Sequence, residues 1–333
     1  MKDVAARSGL SVTTISRHLN GSIVLPQETV KRIDDAILAL DYHPNPHARR
    51  LSLGRSETIG LVLPEIANPF FARLAGAVEE AADAEGLGLV LCATLNRQGR
   101  ELDYLARLGR DGVDGLIFVT NHPDDGSLAR SIETIPGAVL LDEDVPGTVA
   151  PKIFCDNEAG GYLAGQALLA AGHRRIGCIG GLAGMTSMDG RWQGLCRAVR
   201  ECGPEAAITF STNGPYSVAE GRRAARLFLA AAEPPSALFV CSEEAALGVL
   251  EGLRDADIDV PGDVSLIAFD DVGPLHLLTP PLTAIRQPIE AMGRRAVEAI
   301  VTKIGPGIEL MPVELIVRQS VAPPPSANRK LKG

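Results

Sequence analysis

Short apolar runs without polar interruption recur along most of this chain, and helix-length segments separate them. The strand-like runs lie at 58–64, 87–93, 114–120, 137–142, 175–181, 236–242 and 264–271. A strand that is apolar on both faces is buried on both sides, which is typical of a parallel sheet covered by helices. One intervening segment, residues 69–85, places Phe71, Leu74 and Val78 on a single helical face. The pattern predicts an α/β body.

Seven or more strand–helix units are too many for one open sheet of ordinary size. Asp156 and Asn157 begin a new helix near the middle of the body, so we divide the body there into two doubly wound lobes. In such folds ligands bind in the crevice at the carboxyl ends of the strands. Asp142, Asp270 and Asp271 follow strands and become candidate ligand-binding groups.

Residues 1–44 have a different pattern, which predicts a small all-α head. Ser8 ends a short first helix, Gly9 supplies a turn, and Ser11 is a good N-cap for a second helix that runs through Leu19. A third helix begins after Pro26 and runs to about residue 40. A short helix, a tight turn containing glycine and a second short helix form a helix-turn-helix.

The charge distribution favours a head that binds nucleic acid. The whole chain carries a formal charge of −9, yet residues 1–56 contain eight Lys and Arg against five Asp and Glu. The remaining residues contain 24 basic and 36 acidic side chains. A basic head on an acidic body suits a DNA duplex, which is densely negative.

The second helix carries the polar side chains that DNA recognition requires. Thr13, Ser16, Arg17 and Asn20 share one face, and Ile15 faces the opposite way. Arg can bond guanine edges, while small hydroxyls and amides bond phosphates or bases. An ordinary solvated helix face is the alternative, although such a face more often carries Glu and Lys.

Residues 45–55 predict a hinge of about two helical turns. Asn45 can cap it, Pro46 suits its first position and Gly54 ends it. A helix this short is marginal in water. Its arginines and the exposed Leu51 suit a segment that folds on DNA and inserts apolar atoms into the minor groove. A plain linker is the alternative.

The sequence offers no catalytic or metal-binding pattern. It contains no GxGxxG after a strand, P-loop, HExxH or GxSxG, and its six cysteines have no metal-ligand spacing. We therefore expect no enzyme activity, no metal and no cofactor. His173 precedes a strand and is expected to be structural.

No run reaches membrane-span length and the N-terminus has no leader pattern, so we expect a cytoplasmic protein without membrane contact.

Six ordered motifs resemble the lactose/galactose repressor family of bacterial transcription factors. They are KDVAARSGLSVTTISRHLNG, YHPNPHARRL, ETIGLVLPEIANPFF, DNEAGGYLAGQALLAAGHRRIG, DVSLIAFDD and LTPPLTAIRQPIEAMGRRAV. They span about residues 2–320. The resemblance implies a sequence-specific repressor that binds a near-palindromic operator in double-stranded DNA as a homodimer. It also implies that a small metabolite, a sugar or sugar derivative, binds between the lobes and controls operator affinity.

The resemblance also implies roles for particular residues. Val12, Thr13 and Arg17 match base-reading positions, with inward packing of Val12 as an alternative. Ser11, Thr14, Ser16 and Asn20 match positions that hold the DNA backbone. Ala48, Arg49 and Leu51 match the hinge that enters the minor groove. The positions that match the family's effector site are Asn68, Phe70, Asn121, Asp142, Arg191, Tyr216, Ser242 and Asp270.

The body of such proteins has three crossovers between two lobes. We accordingly expect residues 56–333 to form the effector-binding and dimerisation body, with a first lobe at about 57–155 plus 285–315. The second lobe then takes about 156–284 plus 316–325.

Three departures from the family pattern bear on the effector. Ser242-Glu243 replaces the usual Asn-Asp, Asp189 replaces the first of two paired arginines, and Ala167 replaces a common His. A phosphorylated ligand would therefore find one cation fewer in the site. The C-terminal tail has no heptads, so no tetramer-forming extension is expected. A sugar-binding protein without a DNA function and a sugar-modifying α/β enzyme are the competing hypotheses. The first leaves residues 1–55 unexplained, and for the second the sequence supplies no catalytic constellation.

Overall fold

The structure is a computed structural model that describes residues 1–19, 22–42 and 56–325. The chain divides into two compact units, Met1–Glu57 and Thr58–Gly333. Each unit has its own apolar core.

The first unit is the predicted helix-turn-helix head. Its helices are α1 (Lys2–Ser8), α2 (Val12–Leu19) and α3 (Gln27–Ala39). Gly9 ends α1 with a φ of 67°, a left-handed conformation that favours glycine. The Ser11 hydroxyl accepts a hydrogen bond from the Thr14 backbone N–H at 3.0 Å, so the predicted N-cap is confirmed. Val4, Ile15 and Ile33 are fully buried between the helices.

The second unit contains two six-stranded sheets, which confirms the predicted pair of α/β lobes. The first sheet has the order β11-β5-β4-β3-β1-β2 and is parallel throughout. Its strands are β1 (Thr58–Leu63), β2 (Gly88–Ala93), β3 (Gly115–Phe118), β4 (Ala138–Leu141), β5 (Lys152–Cys155) and β11 (Ile308–Met311). Fully buried residues such as Leu61, Ile117 and Leu140 show why these runs are apolar on both faces.

The second sheet repeats this order as β12-β10-β9-β8-β6-β7. Its strands are β6 (Arg175–Gly180), β7 (Ala207–Asn213), β8 (Ala237–Val240), β9 (Ser265–Phe269), β10 (Thr283–Arg286) and β12 (Glu314–Ile316). The last strand differs from the expected parallel arrangement, because β12 pairs with β10 in antiparallel direction. It is a short edge strand that follows directly from β11 of the other sheet.

Helices cover both faces of each sheet, as a parallel sheet requires. They are α4 (Pro69–Ala84), α5 (Gln98–Asp111), α6 (Ser127–Ile132), α7 (Asn157–Ala170), α8 (Thr186–Cys202), α9 (Val218–Leu229), α10 (Glu243–Asp255) and α11 (Ile289–Thr302). Asp156 caps α7 by accepting a hydrogen bond from the Ala159 N–H at 2.8 Å, as its sequence position predicts.

Within residues 56–325 the chain passes between the sheets after Cys155, after Arg286 and after Met311. Residues 285–286 and 314–315 therefore pair with the second sheet, although the expected boundaries assign them to the first lobe. The reason is long-range pairing, since β10 bonds to β9 along Thr283–Ile285 and β12 bonds to β10 at Ile285.

The expected structural role of His173 is also confirmed, and the cysteines are unpaired. His173 is buried, and its ring nitrogens lie 2.8 Å from the Ser236 hydroxyl and 2.9 Å from the Ala322 carbonyl, so it is structural. All six cysteines are free, and Cys92, Cys155, Cys178 and Cys241 are buried. Of the helices in the described ranges, none has the length and apolarity to traverse a bilayer.

Candidate functional site

The exposed face of α2 is the first candidate site. Thr13 and Arg17 are exposed, and Ile15 is fully buried in the head. Val12 is 41% exposed, so the alternative that it packs inward is wrong. The outward face thus presents a small apolar side chain, a hydroxyl and a guanidinium, a combination that can contact base edges in a major groove.

The expected backbone-binding residues flank this face. Ser11 is exposed, Thr14 and Ser16 are partly buried, and the hydroxyls of Ser11 and Thr14 lie 2.8 Å apart. Asn20, Ala48, Arg49 and Leu51 lie outside the described residues, and their roles stay predictions.

A cavity of about 560 Å³, including its mouth, lies in the body and is the second candidate site. All eight residues that the resemblance marks for effector binding line it. They are Asn68, Phe70, Asn121, Asp142, Arg191, Tyr216, Ser242 and Asp270. Six of these follow the carboxyl ends of strands, and such ends meet at one edge of a parallel sheet. Phe70 and Arg191 reach the cavity from helices α4 and α8.

Two carboxylates occupy equivalent places in the two lobes. Asp142 directly follows β4 and Asp270 directly follows β9, which hold the same position in their sheet orders. Their φ angles are 72° and 76°, a left-handed conformation that is uncommon outside glycine. Their backbone N–H groups bond to the Ile153 and Ile285 carbonyls at 3.0 and 2.8 Å. The neighbouring strands therefore hold both turns in place.

Arg191 is a buried cation at the base of the cavity. Its Nε donates to Asn157 Oδ1 at 2.9 Å, and its Nη1 donates to the Cys241 carbonyl at 2.5 Å. Its guanidinium carbon lies 3.6 Å from the centre of the Phe269 ring and 5.6 Å from that of Tyr216. Two of its N–H groups are thus already bonded to protein, which leaves less of the guanidinium free for a ligand than the sequence suggests.

Three buried polar atoms of the cavity make no hydrogen bond to the described residues. They are Asp142 Oδ1, the Tyr216 hydroxyl and Gln287 Oε1. The Gln287 side chain is fixed because its Nε2 donates to Asp270 Oδ1 at 2.6 Å. Buried polar atoms are nearly always paired in folded proteins. Unpaired atoms in one cavity therefore indicate a place for a polar ligand.

Burial dominates the titration of the acidic groups here. It raises the pKa of Asp142 to about 8; Arg191 opposes this rise, and the carboxylates of Glu143 and Asp270 add to it. Burial also raises the pKa of Asp270, against the attraction of Arg191 and the Gln287 hydrogen bond. Burial raises the pKa of the Tyr216 phenol as well. Near neutral pH, Asp142 holds a proton for much of the time.

The sequence did not single out a buried carboxylate that joins the two lobes. Glu143 follows the first-lobe strand β4 and is 2% exposed. Its oxygens accept hydrogen bonds from the Thr186 and Ser187 N–H groups, at 2.7 and 3.2 Å, in the first turn of second-lobe helix α8. It supplies the cap that the helix's own N-cap, Met185, lacks. No local pattern reveals this contact, since it joins residues over 40 positions apart.

The residues that depart from the family pattern differ in whether they line the cavity. Ser242 caps α10 by accepting from the Ala245 N–H at 3.1 Å, and the Glu243 carboxylate accepts from the Val272 and Gly273 N–H groups. Both residues line the cavity. Asp189 is exposed and is not part of the cavity lining.

The chain is similar to known proteins along most of its length. Residues 1–45 match the bacterial regulatory proteins of the lacI family, and residues 166–321 match a periplasmic binding protein-like domain. The chain is 32% identical to the HTH-type transcriptional repressor PurR of Mannheimia succiniciproducens, covering 96% of this chain and 98% of that protein. It is 31% identical to the HTH-type transcriptional repressor CytR of Escherichia coli K12, covering 96% and 95%.

Solved structures give the same fold. The lac repressor dimer bound to operator and the anti-inducer ONPF has a TM-score of 0.86 at 24% identity, over 96% of this chain and 98% of that one. A complex of the transcriptional regulator CelR with cellobiose has a TM-score of 0.73 at 30% identity, again over 96% and 98%.

A helix-turn-helix head in one chain with a two-lobed binding domain defines the ligand-responsive class of transcriptional regulators. Within that class, this chain belongs to the lacI family of bacterial regulatory proteins.

Proposed function

We propose that this protein is a transcriptional repressor whose affinity for operator DNA is set by a small polyhydroxylated metabolite bound between the lobes. One observation carries the proposal. Side chains from both lobes, including Asp142 and Asp270, line a single cavity with unpaired polar atoms in a chain that also bears a DNA-reading type of helix. A pure transport protein has no use for that helix.

In this proposal α2 enters the major groove of the operator. Val12, Thr13 and Arg17 contact base edges, and Ser11, Thr14 and Ser16 hold phosphates. Exposure of the first three residues supports this division, because base contact requires an outward side chain. By family resemblance, Asn20 joins the phosphate contacts, and Ala48, Arg49 and Leu51 form the hinge in the minor groove.

The effector lies against Tyr216, whose ring face suits the apolar face of a sugar. Asp142 and Asp270 accept hydrogen bonds from its hydroxyl groups, one from each lobe. A ligand bonded to both lobes favours the arrangement in which they are close, and so changes the population of DNA-binding states. CelR, a structural neighbour, is described with cellobiose, and a lacI family regulator of Enterococcus faecium with ribose.

The protein acts as a homodimer in the cytoplasm. One small head reads few bases, so specificity requires two heads on a near-palindromic site. On the edge strand β2 of the first lobe, the side chains of Val90 and Leu91 are 40% and 44% exposed. A second copy of the chain can cover this apolar surface. The helices that follow Asn68 and Ser242, α4 and α10, complete the proposed interface by resemblance.

Fluorescence anisotropy with near-palindromic DNA selected from a random pool tests the proposal. We expect tight binding by the full chain and a shift in affinity when metabolites that stabilise the protein are added. By linkage, operator must change effector affinity by the same factor, typically about 5–150-fold. Equal effector affinities with and without operator would show that the sites are uncoupled.

Asp270→Ala separates the two activities. The variant should bind operator as the parent does and fail to respond to effector, because Asp270 belongs to the cavity and not to the head. The matched control is Asp189→Ala, which removes an exposed carboxylate outside the cavity. If both variants respond like the parent, the effector site lies elsewhere.

A further inference from the structure

The charges around the cavity are unequal. Among the described residues that line it, four carry carboxyl groups and one carries a guanidinium. The carboxyl groups belong to Asp142, Glu243, Glu244 and Asp270. Burial raises the pKa of Glu244, and the nearby carboxylates of Glu65 and Glu243 raise it further. The lining therefore has three more acidic groups than basic ones, and burial keeps the Asp142 carboxyl partly protonated.

The one cation is partly engaged by the protein. Arg191 donates to Asn157 and to the Cys241 carbonyl, and its flat face lies on the Phe269 ring. Asp189, at the place where a second arginine is usual in the family, is an acid and is exposed. An anionic ligand would therefore meet four acidic groups and a single guanidinium, two of whose N–H groups are already used.

The buried atoms that lack a partner call for hydrogen-bond donors. Gln287 is 4% exposed and its amide nitrogen is used on Asp270, so only its acceptor, Oε1, faces the cavity without a partner. Asp142 Oδ1 is a second unpaired acceptor. A ligand that satisfies both atoms must bring N–H or O–H groups into the cavity.

Aromatic rings supply a further attraction for positive charge. Phe70 and Phe71 are buried at the cavity with their rings edge-to-face at 5.2 Å, and Tyr216 lines the opposite lobe's side. Ring faces next to carboxylates are the usual surroundings of a bound ammonium group, because both attract a cation that has left water.

We propose that the effector is a polyhydroxylated amine, which binds with its nitrogen protonated and placed among these carboxylates. This inference rests on the proposed function, namely that the cavity is the effector site. The ammonium group favours ionisation of the neighbouring carboxyl groups and donates to Asp142, while hydroxyl groups satisfy Gln287 Oε1 and the Tyr216 hydroxyl. A neutral sugar would leave the carboxylates uncompensated, and a phosphorylated one would be repelled.

A cation in this place has a measurable consequence for Asp142. Its carboxyl group is held partly protonated near neutral pH by burial. An ammonium group within contact distance favours the ionised form. Binding of the amine should therefore release a proton to the buffer, whereas binding of a neutral polyol should not.

Matched pairs of probes test the proposal on the full chain. Tris(hydroxymethyl)aminomethane is compared with pentaerythritol, and glucosamine with glucose and N-acetylglucosamine. Affinity is measured by calorimetry in buffers of different ionisation enthalpy. In at least one pair we expect the ammonium member to bind about tenfold more tightly or better, with proton release. Equal or tighter binding of the neutral member in both pairs, or no binding by any probe, overturns the proposal.

Variants distinguish this failure from failure of the proposed function. Asp142→Asn keeps the size of the side chain and should remove most of the preference for the amine, while Asp189→Asn should leave it unchanged. A neutral probe that binds and is lost in Asp270→Ala would overturn only the ammonium inference and keep the cavity as the effector site. Absence of operator binding would instead overturn the proposed function.

Discussion

Asp142 and Asp270 are counterparts in the two lobes, each the first residue after the corresponding strand and each with a left-handed φ near 75°. Non-glycine residues in this conformation are often strained, and such strain is typical of functional sites. Here this backbone conformation occurs at one aspartate of each lobe, and both aspartates line the same cavity. Binding of a ligand to both carboxylates therefore depends on the distance between the lobes.

The first prediction concerns base recognition. Arg17→Ala should lower operator affinity by roughly 1–3 kcal/mol and relax the preference at one base pair in each half-site, because the exposed guanidinium can bond a guanine edge. Anisotropy titrations against operators with single base changes measure both effects. Lys31→Ala, an exposed cation on α3, is the control and should keep the sequence preference. An Arg17 variant with unaltered preference would refute the base-reading role.

The second prediction concerns pH and Asp142. Its pKa is about 8 in the folded protein and about 3.9 in an unfolded chain, so the folded state binds the proton more tightly. Its contribution to stability therefore declines as pH rises through this window. Asp142→Asn should gain stability over the parent as pH increases from about 5 to about 8, by on the order of 1 kcal/mol or more. Urea unfolding at several pH values measures the difference.

Asp189→Asn is the control for this pH experiment, since Asp189 is exposed. Its stability relative to the parent should not vary with pH in the same window. A constant difference between Asp142→Asn and the parent would mean that Asp142 is ionised in the folded protein throughout.

The third prediction concerns the link between the lobes. Glu143→Ala removes a buried acceptor from two N–H groups of α8 and should destabilise the body by roughly 1–3 kcal/mol. Glu143→Gln retains one acceptor oxygen and should lose less. Thermal and urea unfolding of both variants give the comparison, with Glu133→Ala as a control whose carboxylate accepts from the Val149 N–H within the first lobe. Equal stability of the parent and Glu143→Ala would exclude the cap.

The fourth prediction concerns the close contact of α7 with α8. A Cβ atom on Gly161 would lie 2.0 Å from the Arg191 carbonyl oxygen, so Gly161→Ala must separate the helices. We expect a loss of roughly 1–3 kcal/mol and weaker effector binding, because Arg191 lines the cavity. Gly99→Ala, where nothing lies within 4 Å of the added atom, should be neutral or slightly stabilising. Calorimetric unfolding and effector titration together test this; an unperturbed Gly161→Ala would contradict the contact.

Strong local signals carried much of the fold prediction. Ser11 and Asp156 begin helices through bonds within their own turn, and the apolar runs that became β1, β4 and β9 are buried on both faces wherever their partners lie. Five strands within the described residues were missed, β5 and β10 inside the sheets and β7, β11 and β12 at their edges. In β7 (Ala207–Asn213) and β11 (Ile308–Met311) exposed and partly buried residues alternate over a short length, so the pattern alone does not separate them from loops.

The candidate cavity, like the fold, was predicted only in part from the sequence. The sequence by itself determined a helix-turn-helix head, two α/β lobes and, through resemblance, eight residues that prove to share one cavity; their binding role stays a prediction. Only the tertiary structure decided how those residues are engaged. Arg191 is bonded to Asn157 and Cys241, Gln287 holds Asp270, and Glu143 caps a helix of the other lobe. Such partners are many residues apart, and burial makes their charges interact strongly. Neither the pairing nor the burial is encoded in any local pattern, because both arise only when the lobes are packed together.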